Sequence, residues 1–141
     1  MAIVQTMCSS FKQQILLGQH DLSTDVIKIA LYTSSAILND STTVYSTTGE
    51  VSSSGTNYTA GGNTLTGVSV TLAGTTAIVS FNNSTWSNSN ITARGALIYN
   101  FSKSNKAIAV LDFGSDKSSL NSPFTVTMPA ATQSTALIRV A

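Results

Sequence analysis

Alternation of apolar and polar residues dominates this chain, and it predicts strands. Residues 26–33 read VIKIALYT, with Ile27, Ile29 and Leu31 on one face and Lys28, Ala30 and Tyr32 on the other. Val68, Val70 and Leu72 alternate again, a turn falls at Ala73-Gly74, and Ala77, Val79 and Phe81 resume the period, which predicts a hairpin. Further alternating runs cover residues 93–99, 107–113, 123–128 and 136–140. One segment follows a helical period instead. Ser9 or Ser10 can cap it, Phe11 and Ile15 share a face, and Gly18 can close it, so a short helix is expected over 11–17. About eight strands with regular turn punctuation, and no strand–helix–strand alternation, predict one mostly β domain over 1–141. Its expected form is an antiparallel β-sandwich or flattened barrel with one short N-terminal helix.

Two polar stretches interrupt the pattern. Residues 39–63 hold Gly49, Gly55, Gly61 and Gly62, with short strands expected near Val44-Tyr45 and Glu50-Val51. A long segment with so little regular structure inside a compact domain suggests a contact loop, anchored on a partner by Val44, Tyr45, Val51 and Tyr58. Deleting residues 46–54 would then leave the domain folded and weaken only its attachment. The second stretch, 82–90, reads as a polar loop around Trp86. Trp86 can stack on a sugar ring with neighbouring hydroxyls and amides at its edge, or it can plug the end of the core. The second reading is the one expected.

Composition narrows the partners. Of 141 residues 42% are hydrophobic, enough for a real core, while only 9% are charged against about 25% in ordinary domains. Serine and threonine supply nearly a third of the chain, so a surface of hydroxyls and amides is expected. A net charge of +1, with seven scattered Lys and Arg, gives no basic face for nucleic acid and little repulsion between copies. No apolar run is long enough to span a bilayer, and the segment MAIVQTMCSSFKQQILLGQ lacks a basic region followed by an unbroken apolar stretch, so neither membrane nor secretory signal is expected. Cys8 is the only cysteine, which excludes an internal disulfide.

Candidate chemistry is sparse. His20 beside Asp21 could be a base or metal ligand, but no partners for a triad or zinc site can be nominated, and a turn residue is the expected role. Asp112-Phe113-Gly114 matches a kinase tripeptide by letter only. There Asp112 is expected to end a strand and residues 114–117 to turn the chain. Asp112 and Asp116 fall short of the oxygen ligands calcium needs. Arg94 is expected to face solvent, pair with an acid, or serve an interface. No catalytic, metal or cofactor residue is nominated, and no enzyme activity is expected.

The wording of residues 91–130 carries a resemblance. ITARGALIYN, AVLDFGSDKSS and FTVTMPA, preceded by IKIALYTSS, TVYSTTGEV and NYTAGGNTL, resemble a group of short β-rich virion structural proteins of tailed bacteriophages. The likeness runs from about Phe11 to Val140 and lies in fold and surface motifs, so it carries no site residues over. It implies a structural virion protein, and size and composition lead to the expectation of a place on the capsid exterior, with the host cytoplasm as its location during assembly. Size and composition favour a capsid decoration or cement protein, with the major capsid protein and copies of itself as partners and a trimer as the expected oligomer. The alternative is a tail adaptor or a fibre-tip module that binds a receptor or glycan. Candidate interface residues are Val44, Tyr45, Val51, Tyr58, Trp86 and Arg94.

Overall fold

A computed structural model describes residues 2–141. Its largest unit is a five-stranded antiparallel sheet in the order β1 (Thr6–Met7), β8 (Lys106–Ser118), β7 (Thr92–Asn100), β2 (Ile27–Tyr32) and β3 (Asn63–Thr64). β10 (Ile138–Val140), β5 (Thr76–Ser80) and β4 (Ser69–Ala73) form a second antiparallel sheet, and β6 (Ser84–Ser89) pairs with β9 (Ser122–Val126) in a third. The arrangement is sandwich-like and mostly β, as the alternation predicts. One continuous apolar cluster joins Ile29, Leu31, Leu97, Ile98, Ile108 and Val110 to Val79, Trp86, Phe124 and Ile138 of the smaller sheets and to Phe81 just after β5.

β2 and β7 are buried almost throughout, which requires cover on both faces. The face bearing Ala30, Tyr32, Leu97 and Tyr99 is set by the register Ala30↔Leu97 and Lys28↔Tyr99. Chain from the 34–62 region lies over it. Tyr45 stacks on Tyr99 with ring centroids 4.6 Å apart, and the Tyr32 and Tyr99 hydroxyls donate to the carbonyls of Ser46 and Gly61. The predicted short strands here are single bridges, Val44 to Lys106 and Glu50 to Tyr32.

The helix α1 (Ser9–Leu16) forms where its period predicts, burying Phe11 and partly burying Ile15. Cys8, not a serine, stands at its N-cap and makes no side-chain capping bond. Backbone bonds from Cys8 N–H to Ile108 O and from Ser9 N–H to Asp40 O fix the start instead, at 2.9 Å each. Gly18 closes the helix in the left-handed conformation, with Gly18 N–H donating to Ile15 O and Gln19 N–H to Gln14 O, the paired bonds of a Schellman motif.

The chain does not turn at 114–117. β8 continues to Ser118, and the register passes from Gly95↔Asp112 to Ala93↔Lys117, so residues 113–116 form a bulge opposite Arg94. The hairpin of β4 and β5 is as predicted, closed by Gly74-Thr75 with Gly74 at φ +64. Its apolar face differs from expectation. Val79 and Ile138 are buried, but Val70, Leu72 and Val140 on the same side are 49%, 74% and 48% exposed. An open cleft of about 660 Å³ separates this face from Phe11, Ile15 and Leu22.

Candidate functional site

Three of the six candidate interface residues are interior. Val51 is 5% exposed, Tyr58 2% and Trp86 5%, so none offers surface to a partner while the domain stays folded. Tyr58 is held in place by Glu50, which gathers three donors. Its Oε1 accepts from the Tyr45 hydroxyl at 2.7 Å, and its Oε2 accepts from the Tyr58 hydroxyl at 2.6 Å and from Gly61 N–H at 2.8 Å. The Tyr58 oxygen in turn accepts from Leu31 N–H at 3.0 Å. Tyr32 and Tyr99 complete the group, so all four tyrosines of the chain gather around one carboxylate. Burial, then the negative Glu50, pushes the Tyr99 phenol up to about 12. The same two causes raise Tyr32, and for Tyr45 and Tyr58 the bond to Glu50 adds to them. Segment 39–63 is thus a strap tied to the central sheet, and deletion of residues 46–54 would remove Val51 from the core and Glu50 from its hydrogen-bond cluster.

Trp86 is the plug. Tyr58 lies 6.0 Å from it in a tilted pair, and Phe124 meets it edge-on at 6.3 Å. Its indole N–H is buried without a protein partner. No face of the ring is left open for a sugar. The stretch around it is strand, not loop. Ser84 and Ser89 occupy inward positions beside Trp86, and Ser89 Oγ bonds the carbonyls of Trp86 and Ser122.

Val44 (47% exposed) and Arg94 remain at the surface. Arg94 Nε lies 3.1 Å from Asp112 Oδ1, which also accepts from Gly114 N–H at 2.9 Å. Those two contacts hold the Asp112 carboxyl below its usual range, the backbone bond foremost. Asp112 lines an open groove of about 680 Å³ between the far half of β8 and β9, with Phe113, Phe124, Val126, Met128 and Leu137 as its apolar wall.

His20 sits in a polar cluster beneath α1. Its Nε2 donates to Gln14 Oε1 at 2.8 Å, and its Nδ1 accepts from Asn100 Nδ2 at 3.0 Å. Asn100 also donates to Asp25 Oδ2 at 2.8 Å, and Lys103 Nζ lies 3.6 Å from Asp25 Oδ1. Both ring nitrogens are therefore engaged by amides, and the ring packs edge-on against Phe11. Among the described residues no group of three His, Cys, Asp or Glu is placed to hold a metal ion.

Burial lowers the His20 pKa, with Lys106 and Lys103 acting in the same direction and Asp25 opposing. A protonated Nδ1 would also set two donors, its own N–H and Asn100 Nδ2, against each other. The unfolded state therefore takes up the proton first. Stability is full above the free-histidine value near 6.5 and declines as pH falls from there towards the folded pKa. Thermal melts at pH 7 and pH 5 should show a lower midpoint at pH 5, and His20→Gln should flatten that dependence.

Comparison with protein families, curated proteins and solved structures finds no match to this chain.

Proposed function

We propose that this chain is a non-enzymatic structural protein of a tailed-phage particle, a decoration protein seated in many copies on the outer face of the head. The observation that carries the reading is the resemblance of the motif blocks along residues 11–140. IKIALYTSS, ITARGALIYN, AVLDFGSDKSS and FTVTMPA contribute β2, β7, β8 and β9, while TVYSTTGEV and NYTAGGNTL supply the strap with Glu50, Tyr45 and Tyr58. The motifs therefore specify a scaffold. A surface poor in charge suits repeated side-by-side placement on a lattice, because neighbouring copies repel little. Val44 and Arg94 are the candidate contact residues that the fold leaves accessible for the major capsid protein. With Trp86 buried, a glycan-binding role centred on that ring loses its motivation.

Copy number tests this directly. Quantitative mass spectrometry of purified particles should find the chain in hundreds of copies, comparable with the major capsid protein. A handful of copies would replace the decoration reading with a tail or fibre role, and absence from particles would overturn the virion reading altogether.

The strand expected over 136–140 is β10, and it pairs on one side with β5 within the domain.

A further inference from the structure

We infer that two copies of this chain join through β4, pairing edge to edge about a two-fold axis at Thr71 to make one six-stranded sheet. An exposed strand edge carries free backbone N–H and C=O groups, and proteins shield such edges by brevity, charge, proline or a cover. This one shields nearly all of its edges. β1 and β3 are two residues long, and β10 is three and carries Arg139. The outer half of β8 holds Asp112, Asp116 and Lys117 and is broken by its bulge. β9 includes Pro123, and β6 is capped by the side-chain amides of Asn57 and Asn63, which donate to the carbonyls of Ser87 and Thr85. β4 has none of these devices. It reads SVTLA, lies at the end of its sheet, and its first four residues are all exposed.

The hairpin geometry fixes which groups are free. Gly74 at the first position of a two-residue loop marks a type II′ turn, whose flanking residues Ala73 and Thr76 exchange hydrogen bonds. Alternation then directs the backbone groups of Ser69, Thr71 and Ala73 towards β5, and those of Val70 and Leu72 outwards. A second β4 running antiparallel, with Thr71 opposite Thr71, sets Val70 against Leu72 twice. That register satisfies the outward groups of both residues in both copies. It also brings their exposed side chains together on one face, next to Val140 and the buried Val79 and Ile138.

Charge selects a second copy over another partner. An isologous contact places each residue near its own equivalents, so any charge on it repels itself. No charged residue occurs between Glu50 and Arg94, a span that contains the whole hairpin. A partner of complementary charge would find nothing there to meet.

The experiment uses the purified full chain and is independent of the virion reading, which copy number tests. Sedimentation should show a dimer at high micromolar concentration. Leu72→Lys alters a side chain already 74% exposed, so circular dichroism should be unchanged while dimer dissociation strengthens by more than about tenfold. Thr71→Cys reads the register. Facing positions in a non-hydrogen-bonded pair bring Cβ atoms to about 4.5–5.5 Å, within reach of a disulfide, so mild oxidation should give a covalent dimer. Ser69→Cys, which would face Ala73, should not cross-link, and native Cys8 is fully buried. A strict monomer, an oligomer indifferent to Leu72→Lys, or failure of Thr71→Cys to cross-link would each overturn the proposal.

Discussion

Replacing Glu50 with alanine is expected to cost about 3–5 kcal/mol of folding stability, the largest effect of any single polar substitution we foresee. Three donors converge on this carboxylate, and hydrogen bonds to a charged group contribute about 1.5–3 kcal/mol each. Partial exposure of Glu50 discounts that sum. Part of the loss is the Tyr58 hydroxyl, which is buried and would be left with a donor and no acceptor. Glu50→Gln should be much milder. Its carbonyl oxygen can accept from Tyr58 and Gly61 together, while its amide can donate to the hydroxyl of the partly buried Tyr45. Urea denaturation of the two variants separates the cases. Equal losses would mean that charge, not the acceptor at the Tyr58 position, holds the strap.

The second large effect is alkaline. Tyr32, Tyr58 and Tyr99 are each no more than 2% exposed, and all have phenols pushed up by burial and by Glu50. A raised folded pKa means that the native state keeps its protons while the unfolded state gives them up near pH 10. Stability from these groups is complete below that value and is lost as pH rises above it. Each buried phenol then costs about 1.4 kcal/mol per pH unit, so three together remove about 4 kcal/mol per unit. Against a total of about 5–15 kcal/mol, unfolding should follow within a few pH units of 10. Tyrosinate absorbance should not rise gradually from pH 10. It should appear in one cooperative step that coincides with loss of the β signal in circular dichroism.

What the sequence made legible was the set of apolar alternations. β2, the β4–β5 hairpin, β7 and β9 lie where the period placed them, and α1 follows its 3.6-residue spacing. The misses share a physical cause. β6 has the sequence STWSNS, in which serines take inward positions that close packing fills with small polar groups, so no apolar period marks it. The continuation of β8 through 114–118 is polar because that part lies exposed. The strap looked like a contact loop because its anchors are spaced irregularly. Tyr58 reaches the interior through Glu50 and the backbone of β2, and Val51 through its own backbone bond to Leu31, links that no local pattern encodes. In β4 the opposite error occurs. Val70 and Leu72 alternate as a core-facing strand does, yet they lie out in solvent. Alternation states that two faces differ and leaves open whether the apolar one is covered by the same chain.

The order in which strands meet also governs how the protein emerges from a ribosome. β2 finds its main partner, β7, only after some seventy further residues have been made, since Ile27 pairs with Asn100, and β1 waits for Val110. The β4–β5 hairpin, with its two-residue turn, is a local unit complete well before β7 and β8 are made. A nascent chain therefore presents its one unshielded strand before the central sheet exists to hold it. Successive chains growing on one message would expose that strand in turn and close together. For a protein of such non-local pairing, slow folding and early meeting of copies go together. Expression at low temperature, or with translation slowed between codons 81 and 106, should alter the yield of soluble protein more than it alters the stability of the product.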